Sequence, residues 1–289
     1  MEHGGLPVTL PLPPSRRGST SLDVRPTSES PKPDAGGIGA ARTRCFVSHV
    51  NFDDSIVYPG QPGRAHAHQY AGADTSDAFG VPFTAGGTCR GGTANLSSYW
   101  WPALLTPAGN VLTPTYTDHY YKASHYDVEG VVRSPPTGLK IVAGDMTARG
   151  PVQNAFYFNF TNPAGQRTQT IPAGSVTMNV SFPQCWDGVR LDSPDHKSHM
   201  SYPVGGRCPA THPVLIPSIS YHVYFENVPA GSRLACDAAS GPGGYCLHAD
   251  IIVRWATAIM DSMVGNCINK GLSCGSHLTG DGREMFGGI

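Results

Sequence analysis

Eight cysteines, Cys45, Cys89, Cys185, Cys208, Cys236, Cys246, Cys267 and Cys274, constrain this chain more than any other feature. No two are separated by two residues, so the spacing required by zinc ribbons and thioredoxin-type motifs is missing. An even set without metal spacing reads as disulfides, which form in an oxidising compartment. Roughly a hundred pairings are open to eight cysteines. Proximity in sequence selects Cys236 with Cys246, Cys267 with Cys274, Cys185 with Cys208 and Cys45 with Cys89.

The composition suits such a framework. Charged residues make up 14 %, and 35 Gly and 26 Pro supply turns throughout, which describes short strands joined by irregular loops. The net charge is -1, which leaves no basic surface to neutralise a phosphate backbone, so nucleic acid is not an expected partner. No apolar run is long enough to span a membrane. The first twenty residues, with an acidic start and prolines through the apolar stretch, do not read as a signal peptide.

Residues 1–36 are rich in Pro, Ser, Gly and Arg and nearly free of aromatics; such a segment reads as a disordered tail or linker. Residues 37–289 form one globular domain. Within it, "GLKIVAGDM", "NAFYFNF", "GSVTMNVSFP", "SISYHVYFENV" and "YCLHADIIV" read as strands. The clearest alternation sets Ile219, Tyr221, Val223 and Phe225 against Ser220, His222 and Tyr224. One helix is expected in "VRWATAIMDSMVGNCI", where Trp255, Ile259, Met263 and Cys267 recur at helical spacing. The fold class is therefore mainly β: a sandwich or jelly roll with long disulfide-braced loops and one C-terminal α-helix.

Four clusters carry possible chemistry. In "RAHAHQY", His66 and His68 share a face if the segment is extended, and could chelate one metal ion. In "LDSPDHKSHMSYPVGGRCPATH", Asp192, Asp195, His196 and His199 crowd a charge-poor chain, with Asp187 upstream and His212 downstream. They could act as acid and base or as metal ligands, or simply cap turns. In "LHADIIV", His248 and Asp250 share a strand face, an arrangement in which carboxylate orients imidazole. Finally Trp100, Trp101, Tyr121 and Trp186 offer flat faces of the kind that stack on sugars, or that pack a core. Asn95, Asn159 and Asn179 begin N-x-S/T sequons.

Several long segments occur together in order: "SHVNFDDSIVYPGQPGRAHAHQYAG", "TCRGGTANLSSYWWPAL", "FPQCWDGVRLDSPDHKSHMSYP", "CPATHPVLIPSISYHVYF" and "HADIIVRW". By these the chain resembles the DUF1996 family of secreted fungal and bacterial proteins, from about Cys45 to Cys274. The resemblance implies that Pro183 to Pro203 and His66 to His68 are hallmark segments. It also implies an extracellular setting and association with carbohydrate or cell wall, without stating a reaction. After the His-x-His, "QYAGADTSDAFG" stands where the family is usually aromatic-rich.

The leading functional expectation is a secreted carbohydrate-active enzyme that cleaves glycosidic bonds of an extracellular polysaccharide, as a hydrolase or a lyase. Asp187, Asp192, Asp195, His196, His199, His248 and Asp250 are its candidate catalytic groups; Trp100, Trp101, Tyr121, Trp186 and His212 are its candidate substrate contacts. A divalent metal enzyme, zinc or copper, centred on His66 and His68, is the second expectation. A non-catalytic module that binds glycan or cell wall is the third.

Overall fold

In the strand Ser218–Val228 the alternation expected from sequence is realised, with Ile219, Tyr221, Val223 and Phe225 buried on one face. The computed structural model describes residues 12–34, 36–82, 84–123, 128–153, 156–237 and 243–287. Ser218–Val228 lies inside an eight-stranded sheet, between Gly174–Ser181 on one side and Tyr116–Lys122 on the other, both antiparallel. Beyond Gly174–Ser181 come Phe158–Thr161 and then Arg167–Thr168. Beyond Tyr116–Lys122 come Ala40–Cys45, Leu272–Ser273 and Lys32–Pro33, with one parallel pairing, between Leu272–Ser273 and Ala40–Cys45.

The second sheet has five antiparallel strands in the order Val47–Asn51, His68–Gly72, Ser98–Pro102, His248–Ile252 and Lys140–Gly144. Its inward side chains, Tyr99, Trp101, Ala249 and Ile251, meet Tyr121, Phe160, Met178 and Tyr221 of the larger sheet in one core. The tyrosine hydroxyls in that core are satisfied: Tyr99 and Tyr121 pair at 2.8 Å, the Trp255 indole N–H donates to Tyr121 Oη at 3.0 Å, and Tyr221 Oη donates to the Asp250 carbonyl at 2.7 Å. The fold is thus a mainly β sandwich, with one α-helix, Thr257–Asn266, near the C-terminus. That helix is shorter than its apolar period suggested, because Trp255 packs into the sandwich ahead of it.

All four disulfides expected from sequence proximity are present. Two expectations meet a different outcome. Trp100, Trp101 and Tyr121 offer no stacking surface, being at most 1 % exposed; their faces are spent on packing inside and behind the smaller sheet. The segment expected as a tail is laid along the domain from residue 12: Val24–Pro26 pairs with Arg283–Met285, and Lys32–Pro33 with Leu272–Ser273. Residues 1–11 lie outside the described residues. Composition misjudged the rest because backbone pairing, rather than apolar burial, holds it. Gly18 shows the closeness required, since a Cβ there would sit 2.4 Å from the carbonyl carbon of Gly87.

The sequons are structural too. Asn95 and Asn159 are buried, and Asn179 Nδ2 donates to Asn159 Oδ1 at 3.0 Å, so none presents a free amide for a glycan.

Loop-closure entropy ranks the disulfides by the chain they span. Cys45–Cys89 closes a separation of 44 residues and Cys267–Cys274 one of 7. Removing the first by paired Cys→Ser substitution is expected to cost roughly 4 kcal/mol and removing the second roughly 2 kcal/mol, as read from denaturant midpoints of the two variants.

Candidate functional site

Because a strand alternates its side chains, the residues that leave the core of the smaller sheet must emerge on its other face. On that face one cross-strand row runs from Tyr70 through Trp100 to Asp250, with His68 and His248 two residues away on their own strands. The loop from residue 52 to 67 folds over them. Ile56, Tyr70 and Trp100 form a small apolar cluster there, so the polar groups between loop and sheet are sealed: His68, His248, Asp250 and Asp54 are each at most 3 % exposed. His66, in extended chain just before its strand, is half-buried at the edge.

The imidazoles are oriented by the backbone. His68 Nδ1 lies 2.9 Å from the Asp53 carbonyl, and His248 Nδ1 lies 2.7 Å from the Cys246 carbonyl. A carbonyl only accepts, so each Nδ1 carries the hydrogen and each neutral ring turns a bare Nε2 lone pair inward. Those two nitrogens face each other at 3.4 Å. Burial holds both imidazoles down to a pKa of about 4, so at neutral pH no proton bridges them. Two acceptors opposed in this way are at a separation that fits a cation between them. Nitrogens 3.4 Å apart, each at a zinc–nitrogen distance of about 2.0–2.1 Å, subtend an angle of about 110° at an ion, which is tetrahedral. The hydrogen bonds at Nδ1 are those that metal-binding histidines use to fix tautomer and ring orientation.

Two more groups converge. The His66 ring lies 4.2 Å from that of His68 and 5.0 Å from that of His248, centroid to centroid. Asp250 places a carboxylate oxygen within 4.8 Å of the ligand nitrogens of His68 and His248. Neither Asp250 oxygen has a hydrogen-bond partner among the described residues, although buried carboxylates without partners are costly. Burial, reinforced by the charge of Asp54, raises the pKa of Asp250 well above the ordinary carboxyl value. Asp54 is raised by burial as well, against the backbone N–H groups of Val57 and Ile56 that its carboxylate accepts. Cys236 also lies within 4.8 Å of the ligand atoms of His66 and His248, but its sulfur is committed to Cys246.

The hallmark segment takes a different part. Asp187 accepts from the backbone N–H groups of Val189 and Arg190 and pairs with the Arg190 guanidinium at 2.6 Å; against the pull of burial these hold its pKa at about 2. Asp192 accepts from Ser193 N, His196 Nδ1 and Lys140 Nζ, and the last two outweigh burial to keep it ionised. Asp195 is lowered by the backbone N–H of Ser198 and the Ser193 hydroxyl. His199, fully buried, is bound to Ser193 Oγ and donates from Nε2 to the Lys140 carbonyl at 2.6 Å. Ser193 sits between Asp195 and His199, whereas in a nucleophile triad the imidazole sits in the middle. His212 reaches the Ser198 carbonyl, and the Trp186 indole N–H donates to the Arg190 carbonyl. These seven residues therefore hold one loop together, beside the Cys185–Cys208 disulfide, and are not gathered with the imidazole centre.

What that loop does deliver is Lys197, which the sequence did not single out. Exposed, it donates to the Gly144 carbonyl at 3.0 Å, opposite His248 in the sheet register, and its charge reaches both His248 and Asp250. Beside it opens a cleft of about 320 Å³ lined by Asp145, Lys197, Met200, Tyr202 and Leu247. Asp54 and Tyr70 were also missed. The available signal was "DD" just upstream of His-x-His in a chain with few charges, which is also what a pair of turn caps looks like.

Residues 54–255 match the family described as "Domain of unknown function (DUF1996)". The match covers well over half of the chain, and the chain belongs to this family. It encloses the whole centre from Asp54 to Asp250 and all of the hallmark loop. No curated protein and no solved structure matches the chain.

The depressed imidazole values have a definite sign. In metal-free protein the unfolded chain binds protons at His68 and His248 below an ordinary value near 6.5, whereas the folded protein resists until about pH 4. Stability from these groups is therefore present above about pH 6.5, is lost as pH falls through the interval, and loses nothing more below pH 4. Urea midpoints at pH 7 and pH 4 are expected to differ more for the wild type than for His68→Gln.

Proposed function

We propose that this protein is a secreted carbohydrate-active enzyme that cleaves an extracellular polysaccharide with a divalent metal ion held between His68 and His248. One observation carries the reading: two buried, neutral imidazoles whose Nδ1 atoms are tied to backbone carbonyls oppose their Nε2 lone pairs at 3.4 Å. Two imidazoles with the Asp250 carboxylate within 4.8 Å, and the His66 ring beside them, make a donor set that suits zinc. An ion there supplies Lewis acidity and a water of lowered pKa.

The chain's own groups divide the remaining work. Asp53 and Cys246 orient the two buried rings through their carbonyls. Asp250, next to the imidazoles and without a hydrogen-bond partner among the described residues, would hold or release a proton beside the ion. Lys197 at the rim is placed to hold an anionic group of the substrate. The Asp187, Asp192 and Asp195 carboxylates, held ionised by their own loop, fit bracing of the cleft better than general-acid chemistry. The secreted setting is supported by four disulfides. Among the described residues no helix is long and apolar enough to cross a membrane. The polysaccharide itself is supported by the family resemblance alone.

Elemental analysis of the purified, disulfide-intact protein is expected to find one divalent transition metal per chain. Saturation with zinc at a hundred times Kd should stabilise stripped protein by about 2.7 kcal/mol. His68→Ala and His248→Ala are expected to weaken zinc at least about tenfold, and Asp187→Asn to leave it unchanged. A stripped protein whose melting temperature ignores zinc would refute the metal centre. Against a panel of polysaccharides, Asp250→Asn is expected to lower product release by roughly a hundredfold or more while zinc remains bound.

A further inference from the structure

The outward face of the eight-stranded sheet, on the far side of the sandwich from the imidazoles, does not look like a plain solvated surface. Cross-strand neighbours on one face of an antiparallel sheet lie close enough to interact, so what they are decides what the face can bind. Here the side chains are arranged in rows. Strand register places Thr161, Thr177, Tyr224 and Tyr116 side by side in one row, and Asn159, Asn179, His222, Asp118 and Arg44 in the next. Adjacent to these, Ser220, Tyr120 and Arg42 make a third.

The rows are rigid. Arg44 donates twice to Asp118, at 2.8 and 2.9 Å, and its guanidinium lies 3.9 Å from the centre of the Tyr116 ring; Tyr116 in turn packs on Tyr224 at 4.4 Å. Arg42 Nη1 donates to Tyr120 Oη at 2.9 Å, and Asn179 Nδ2 donates to both Asn159 Oδ1 and Thr161 Oγ1. At one end the rows open into a hollow of about 220 Å³ walled by Tyr224, Phe156 and Arg167, with Asn179 and His222 at its floor. Phe156 is half exposed, and Arg167 lies 5.2 Å from its ring.

Charge selects the ligand. On this face Arg42, Arg44, Lys122 and Arg167 outnumber the carboxylates Asp118, which Arg44 and Arg42 share, Glu226, and Asp34 near Lys122, although the chain as a whole carries -1. Five strands at about 4.8 Å spacing make the rows on the order of 20 Å long, enough for several sugar rings. Aromatic walls suit the apolar faces of pyranose rings, amides and hydroxyls suit their ring hydroxyls, and the Arg167 guanidinium, which makes no ion pair among the described residues, suits a carboxylate or sulfate substituent bidentately. We propose that this face binds an acidic polysaccharide, independently of the metal centre.

Gel electrophoresis through polygalacturonate, through alginate, and through neutral hydroxyethylcellulose tests the site. The wild type is expected to be retarded in both acidic gels and not in the neutral one. Arg167→Ala, a change of an exposed side chain, and Tyr224→Ser are each expected to weaken that retardation at least about fivefold while metal content stays at the wild-type level. The proposal is overturned by no retardation in either acidic gel, by equal retardation in the neutral gel, by both variants behaving as wild type, or by equal retardation in a gel holding single-stranded DNA. Loss of metal binding with intact retardation would sink the metal centre alone, so the two readings fail separately.

Discussion

Pleating gives the five-stranded sheet two unlike faces, and the rest of the molecule follows from that constraint. Tyr99, Trp101, Ala249 and Ile251 turn inward and build the sandwich core with the larger sheet. The intervening residues, His68, Tyr70, Trp100, His248 and Asp250, are then forced to the outer face. A sheet face carrying two large aromatics cannot be left in water without cost. The 52–67 loop covers it, with Ile56 against Tyr70 and Trp100, and in covering the aromatics it also buries the histidines and carboxyls between them.

That burial creates the chemistry. In water His68 and His248 would titrate near their ordinary value and Asp250 would be an unremarkable carboxylate. Enclosed, the imidazoles stay neutral and the carboxyl is pushed toward its protonated form. Lost hydration is replaced only in part: each ring gains one carbonyl, and the Asp250 oxygens gain no protein donor among the described residues. The Cys236–Cys246 disulfide fixes the turn that presents the Cys246 carbonyl to His248, so the cysteine framework and the centre are one construction. The Cys185–Cys208 bridge does the same for the hallmark loop, which reaches the centre through Lys197.

Much of the fold was legible because its signals are local. Ser218–Val228 appeared with the boundaries expected, three other proposed strands formed around their centres, and of "NAFYFNF", whose first two residues lie outside the described ones, only the end from Phe158 is strand. The strand Tyr116–Lys122 gave little sign of itself, since its inward Thr117 and His119 are polar and, among the described residues, their side chains hydrogen-bond only with each other, through Thr117 Oγ1 and His119 Nε2. At the site, the two-residue spacings of His66 with His68 and of His248 with Asp250 identified four of the converging groups. The densest cluster, Asp187 to His212, was the more conspicuous in sequence and is tied up in its own turn hydrogen bonds, because short polar side chains close together in the chain satisfy one another first.

From the sequence alone came the disulfide pairing, the class of fold and the pairs of residues that share a strand face, since each depends on spacing over a few residues or on short loops. Only the tertiary structure decided which pairs meet. His68 and His248 lie 180 residues apart, and their approach depends on strand order in the smaller sheet, where Ser98–Pro102 separates their strands and sets both registers. It also decided that Trp100 and Trp101 point to opposite faces and are both buried, because exposure depends on what a loop or a second sheet lays over a side chain, and no local pattern carries that information.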